Sequence, residues 1–164
     1  MHNDPGWGAG FRLRDATAGD QSFLLEMLVE AVNWTGDRRV DRQTVMSRPD
    51  LFHYVADWPA EGEIGQVTEA EDSAIGACWL RYFTSDDPGY GYVSDDVPEL
   101  SLAVAAGWRG QSVGRLLLRK TADVAARAGI TRISLSVERG PTGPTASTSP
   151  RDISWWNAVL MPTR

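Results

Sequence analysis

The chain has 164 residues, 42% of them apolar and 23% charged, enough for one domain with one sizeable core and too patterned for a disordered chain. A net charge of −6 and a pI near 4.9 argue against nucleic acid or anionic lipid as the main partner, and no apolar run approaches the ~18 residues of a membrane span. Cys78 is the one cysteine and His2 and His53 the two histidines, which excludes an internal disulfide and a His/Cys zinc cluster.

The opening Met1–Gly10 is Gly-rich, carries no signal-peptide pattern and reads as a flexible lead to a cytoplasmic protein. Phe11 to Asp15 suits a short strand. Thr17-Ala18-Gly19-Asp20 then supplies capping chemistry for a helix with Leu24, Met27, Leu28 and Ala31 on one face, ending near Asn33 to Gly36. From Asp41 to Trp58 the pattern is weaker but helical in parts, with Leu51, Tyr54, Val55 and Trp58 as one face and Pro49 and Pro59 bracketing this second helix. Glu63–Ala70 and Ala74–Phe83 read as a hairpin turning at Glu71-Asp72-Ser73. Ser85–Pro98 is an acidic surface loop. Glu99–Val104 alternates, with Leu100, Leu102 and Val104 on one face and Glu99, Ser101 and Ala103 on the other. Ala106-Gly107-Trp108 forms a turn before a long helix, whose stripe is Val113, Leu116, Leu117, Thr121, Val124, Ala125 and Ala128 and which Gly129 stops. Arg132–Glu138 is a last strand. The tail from Gly140 matches no element.

The chemistry lies where Glu99–Val104 runs through Arg109-Gly110-Gln111-Ser112-Val113-Gly114-Arg115 into that long helix. The first turn of a helix has unpaired N–H groups and a partial positive charge, so such a turn can cradle a phosphate. Gly110 and Gly114 allow close backbone approach, Ser112 can cap or donate its hydroxyl, and Arg109 and Arg115 add guanidinium donors.

These residues resemble the GNAT N-acetyltransferases, whose acetyl-CoA signature is [R/Q]-x-x-G-x-[G/A]. Ser112 replaces the first family glycine, and Ala106 stands where proline is common. The likeness covers residues 11–139 through the strand–turn–helix context and the order of elements. It implies an α/β (α+β) fold of the acyl-CoA N-acyltransferase type, a mixed central sheet flanked by helices, with residues 1–10 as lead and 140–164 as an atypical tail. It also implies acetyl-CoA as co-substrate, with its pyrophosphate on the main chain of Arg109, Gly110, Gln111, Ser112, Val113, Gly114 and Arg115. The pantetheine arm would pair with Leu102, Ala103 and Val104 like an added strand. A backbone N–H there would polarise the thioester carbonyl.

Acetyl transfer needs a base, and Glu99 is the candidate, since many relatives carry a carboxylate there that works through a water. The competing reading is a solvated strand-end glutamate. Cys78 reads as a buried core thiol and His53 as a surface or core-edge residue. Asp86, Asp87, Asp95 and Asp96 would steer a cationic amine.

Two functions stay open: an N-acetyltransferase acting on a small-molecule or peptide amine, or a module that binds acetyl-CoA or CoA without turnover. The family's C-terminal helix, N-x-A-x-x-L-Y-x-x-x-G-[F/Y], carries a Tyr acid that this chain lacks, so that helix and the hairpin after it are altered or missing. Read in the shifted frame, codons from Pro141 to Ile153 permit N-R-A-x-x-L-Y-x-x-x-G-Y with every spacing kept, so the tail reads as an out-of-frame GNAT C-terminus. Trp155, Trp156, Val159, Leu160 and Met161 are then expected to cover the exposed core by improvised packing. Dimers are common in the family, which allows a homodimer.

Overall fold

The computed structural model describes residues 10–33 and 40–136, together with the strand backbone of 137–138 and 153–159. The expected lead, the end of the first helix beyond Asn33, and most of the tail lie outside the described residues.

A six-stranded sheet runs in chain order, β1 (Phe11–Asp15), β2 (Ile64–Ala70), β3 (Ser73–Arg81), β4 (Glu99–Val104), β5 (Arg132–Glu138) and β6 (Ile153–Val159). All neighbours are antiparallel except β4 and β5, which are parallel. The β2–β3 turn uses Glu71 and Asp72 at φ of 52° and 60°. The expected strands before β6 fall within two residues of those observed. The tail departs from expectation: 153–159 form a strand that pairs along all of β5, Arg132 opposite Val159 and Glu138 opposite Ile153. Sequence pattern alone missed it because its partner is the free edge of β5 rather than an adjacent hairpin arm.

One face of the sheet packs on α1 (Gln21–Val32) and on α2 (Arg42–Ser47) and α3 (Pro49–Phe52). The single helix expected between Pro49 and Pro59 is instead α3, one turn long, followed by turns. Pro49 sits in the first turn of α3, where its missing N–H costs nothing, and so starts that helix. Leu24, Leu28, Val55, Trp58 and Trp79 fill this core, and Trp79 Nε1 donates to the Tyr54 carbonyl at 2.9 Å.

The other face packs on α4 (Val113–Arg127), whose Val113, Leu117, Thr121 and Ala125 are buried at helical spacing against Ile75, Cys78, Leu80 and Ile133. Leu116 and Val124 are only partly buried, and Ala128, expected in this stripe, is exposed just past the helix end. The alternation along β4 holds: Leu100, Leu102 and Val104 pack towards α4, and Ala103 joins the α1 core.

Candidate functional site

β4 pairs with β3 over its whole length, from Gly76 opposite Val104 to Arg81 opposite Glu99. With β5 it shares one register pair, Glu99 opposite Ser134, beside a bond from Ser134 N–H to the Pro98 carbonyl at 3.0 Å. Beyond that point the two parallel strands part. Leu102, Ala103 and Val104 therefore have main chain unpaired with β5, an edge that an extended ligand arm can pair with.

The open end of this wedge meets the turn into α4. A short 3₁₀ turn (Ala106–Trp108) precedes Arg109, Gly110 takes φ +79°, and Ser112 takes φ +65° at the N-cap. Ser112 makes no side-chain cap bond, so its expected capping role is not seen. A Cβ on Gly110 would meet nothing within 4 Å, so the positive φ is what demands glycine there. At Gly114 a Cβ would touch Leu102 and Val104 side chains at 3.9 Å, ordinary contact. Gln111 and Arg115 are exposed and Val113 is buried as the first core residue of α4. Arg109 is committed elsewhere in this state: its guanidinium donates to Glu30 at 2.9 Å and to the Val104 carbonyl at 3.2 Å.

Glu99 lies at the closed end of the wedge. It is 2% exposed, so the solvated strand-end reading is wrong. Tyr54 Oη donates to its Oε1 at 2.8 Å and Ser136 Oγ at 3.3 Å, while Oε2 has no partner. Burial raises the Glu99 pKa above the ordinary glutamate value, against the opposing hydrogen bonds from Tyr54, Gly91 N–H and Ser136. The acidic loop does the sealing. A Cβ on Gly89 would come within 2.1 Å of Glu99 Oε2 and 2.8 Å of the Phe83 ring, and one on Gly91 within 2.9 Å of the Glu99 carboxyl carbon. The Tyr90 N–H donates to Tyr54 Oη at 2.7 Å, and Tyr90 Oη donates to Asp50 at 2.5 Å. The loop is thus a packed cover, where an acidic solvated one was expected.

The remaining candidates fall into place around it. His53 packs on Tyr54 and Phe83 and meets Asp87 through Nδ1 at 2.8 Å. Asp95 and Asp96 accept bonds from Tyr92 and Ser94. The Cys78 thiol is fully buried and pushed up to about 12 by desolvation, as an inert core residue should be. Among the described residues no group of three or more His, Cys, Asp or Glu could hold a metal, and no helix is long and apolar enough to cross a membrane. Sequence reasoning missed Tyr54 and Arg81. Tyr54 gave only a helix-face signal, and Arg81 gave none beyond a charge at the end of an apolar strand.

A parallel pair splayed beside a glycine-bearing helix start is the arrangement that a resemblance to the acyl-CoA N-acyltransferases implies. The profile of the acetyltransferase (GNAT) family matches residues 30–142, and the chain belongs to that family, whose co-substrate is acetyl-CoA. The fold is similar to PaiA N-acetyltransferase from Thermoplasma acidophilum in complex with coenzyme A, at TM-score 0.62 and 15% identity over 92% of this chain and 99% of that one. It is similar also to the GNAT domain of PAT from S. lividans, at TM-score 0.60 and 15% identity over 92% and 90%. A protein from Salmonella typhimurium solved with its cofactor acetyl-CoA gives TM-score 0.57 and 21% identity over 79% and 71%. No curated protein matches the chain in sequence.

Proposed function

We propose that this chain is an acetyl-CoA-dependent N-acetyltransferase with Glu99 as general base. The observation that carries this is a dry carboxyl with one unpaired oxygen at the point where β4 and β5 part. Acetyl-CoA, when bound, supplies an acetyl group activated as a thioester. The main chain of Arg109–Arg115 holds its pyrophosphate at the start of α4, and the β4 edge from Leu102 to Val104 aligns its pantetheine arm. Release of Arg109 from Glu30 turns a guanidinium towards the phosphates. Burial brings the Glu99 pKa closer to that of an effective base near neutrality, since a base works best when its pKa lies near the working pH. The acceptor is an amine, and the protein works in the cytoplasm.

The second reading, a CoA-binding module with little turnover, is favoured by the tightness of the loop over Glu99. It goes with the proposal that the tail from Pro141 is read out of frame, which removes the helix bearing the Tyr acid. Sequencing the gene decides that point: a second frame that stops early, or that lacks N-x-A…L-Y…G-Y, ends it.

Acetyl-CoA titration followed by thiol release against a panel of amines tests the function itself. Binding with turnover supports the enzyme, binding without turnover the module, and no binding removes both.

A further inference from the structure

Among the described residues eight buried side-chain polar atoms lack a hydrogen-bond partner, and five of them belong to one cluster: His53 Nε2, Glu63 Oε2, Arg81 Nη1, Glu99 Oε2 and Ser134 Oγ. The sheet register explains the grouping. Arg81 is opposite Glu99 on β3 and β4, and Glu99 is opposite Ser134 on β5, so these side chains rise from one row. Glu63, just before β2, reaches Arg81 Nε at 3.3 Å and closes the row.

The central pair is odd in a specific way. Arg81 and Glu99 carry opposite charges on directly paired positions, where Cβ atoms lie roughly 5 Å apart. Both are buried, at 8% and 2% exposure, yet neither takes the other as partner. Arg81 gives one nitrogen to Glu63 and leaves Nη1 unused, while Glu99 gathers Tyr54 and Ser136 on one oxygen and leaves Oε2 unused. The Arg81 charge is paired with Glu63, so what the row keeps unpaired is one buried polar atom on each side chain, and a buried donor or acceptor without a partner costs free energy. A molecule bearing both signs a few ångströms apart would satisfy the two at once.

We infer that the acceptor amine of this site belongs to a small free amino acid, with its amine at Glu99 Oε2 and its carboxylate at Arg81 Nη1. This rests on the acetyltransferase reading above. A cavity of about 210 Å³ beside the row, lined by His53, Arg81, Phe83, Thr84 and Asp87, takes the side chain. That is below the ~300 Å³ at which pockets begin to hold drug-sized ligands, so the side chain is short. His53 Nδ1 meets Asp87 at 2.8 Å, and its Nε2 stays without a partner at the edge of this cavity. Both reserved atoms are buried in this state, and Gly89 and Gly91 pack directly on Glu99, so the amine reaches Oε2 only as that segment moves aside. In the transfer the nitrogen–carbon bond forms as the carbon–sulfur bond breaks. The amine proton passes to Glu99 and the departing thiolate takes one from solvent.

The test compares matched ligands on the unmodified protein. CoA-saturated protein is titrated calorimetrically with L-alanine, L-valine and L-leucine, and separately with ethylamine, isobutylamine and isoamylamine, their decarboxylated counterparts. At least one acid should bind ten-fold or more tighter than its own amine, and Arg81→Gln should abolish that advantage. Acids that all bind no better than their amines overturn the inference, as does an advantage that survives in folded Arg81→Gln. Should that variant fail to fold, the matched pairs decide alone. If CoA does not bind, the acetyltransferase reading falls, and the same pairs titrated into the free protein still decide whether an amino acid is recognised.

Discussion

The two ends of β4 are built on opposite plans. At its C-terminal end the site is main chain: a strand edge unpaired with β5, two positive-φ residues and the first N–H groups of α4, with Arg109–Ser112 exposed. At its N-terminal end the site is side chain: Arg81 and Ser134 are buried beside Glu99 and Tyr54, and the last two lie beneath a loop whose glycines leave no room for a methyl group. On the proposed function, the difference follows from what each end would recognise. A pyrophosphate offers charge and many acceptor oxygens, which backbone donors and a helix start satisfy whatever the side chains are. A small amine offers little surface, so selectivity comes from a few dry polar groups, whose mispairing is expensive.

Breaking the closed end has the largest expected effect. Glu99→Gln keeps the shape and removes the proposed base, so turnover at neutral pH should fall by ~10²-fold or more while acetyl-CoA affinity stays nearly constant. The sign of the pH dependence follows from burial. Because the folded-state pKa of Glu99 is raised, the native protein holds a proton that the unfolded chain releases, and stability falls as pH rises from the ordinary glutamate range through that raised value. Glu99→Gln should therefore melt higher than the wild type at neutral pH and show no such advantage below pH ~4. A melting series across pH checks this, and an unchanged pH–rate profile in the variant would remove Glu99 from the chemistry.

Next comes the cover. Gly89→Ala forces a methyl into the Glu99 carboxylate and the rigid Phe83 ring, which should cost about 1–3 kcal/mol by overpacking. Chemical denaturation measures the loss. If the loop is the solvated segment its composition suggests, the variant will be neutral, and the contrast between the two ends disappears.

How far each end was legible in the sequence follows from the same contrast. β4, β5 and the start of α4 are written locally, in alternation, helical spacing and the Arg109–Gly114 run, and the structure places them within a residue or two. The closed end draws on residues far apart in the chain, from Tyr54 through Arg81 to Ser134, and no local pattern joins them. One signal was present: Gly89-Tyr90-Gly91 sets two glycines around an aromatic residue in an acidic loop, a mark of close backbone approach. The break at Pro49 was legible too, since proline belongs in the first turn of a helix as readily as before one. Pairing of 153–159 with β5 was not, because it depends on which edge stays open after the rest has folded.

The open end should respond more gently, and by affinity rather than turnover. Gly114→Ala fits beside Leu102 and Val104 and should leave stability intact. Gly114→Val carries further atoms to the surface proposed to meet phosphate, and should weaken acetyl-CoA binding without unfolding the protein. Equal affinities for Gly114→Val and wild type, by titration, would remove the phosphate role from this turn.

The smallest effect is a gain. Ser112 stands where the family signature has glycine, and its backbone keeps the glycine conformation, φ +65° and ψ +13°. A left-handed L-residue costs roughly 1–2 kcal/mol, and Ser112 recovers none of it through a cap bond. Glycine removes that strain but adds freedom to the unfolded chain, a penalty of roughly 0.5–1 kcal/mol. Ser112→Gly should therefore stabilise the fold by about 0.5–1 kcal/mol net, with acetyl-CoA affinity unchanged or modestly improved as the turn is relieved. A lower denaturation midpoint in Ser112→Gly would mean that the serine hydroxyl holds the turn after all. The open end would then depend on a side chain, as the closed end does.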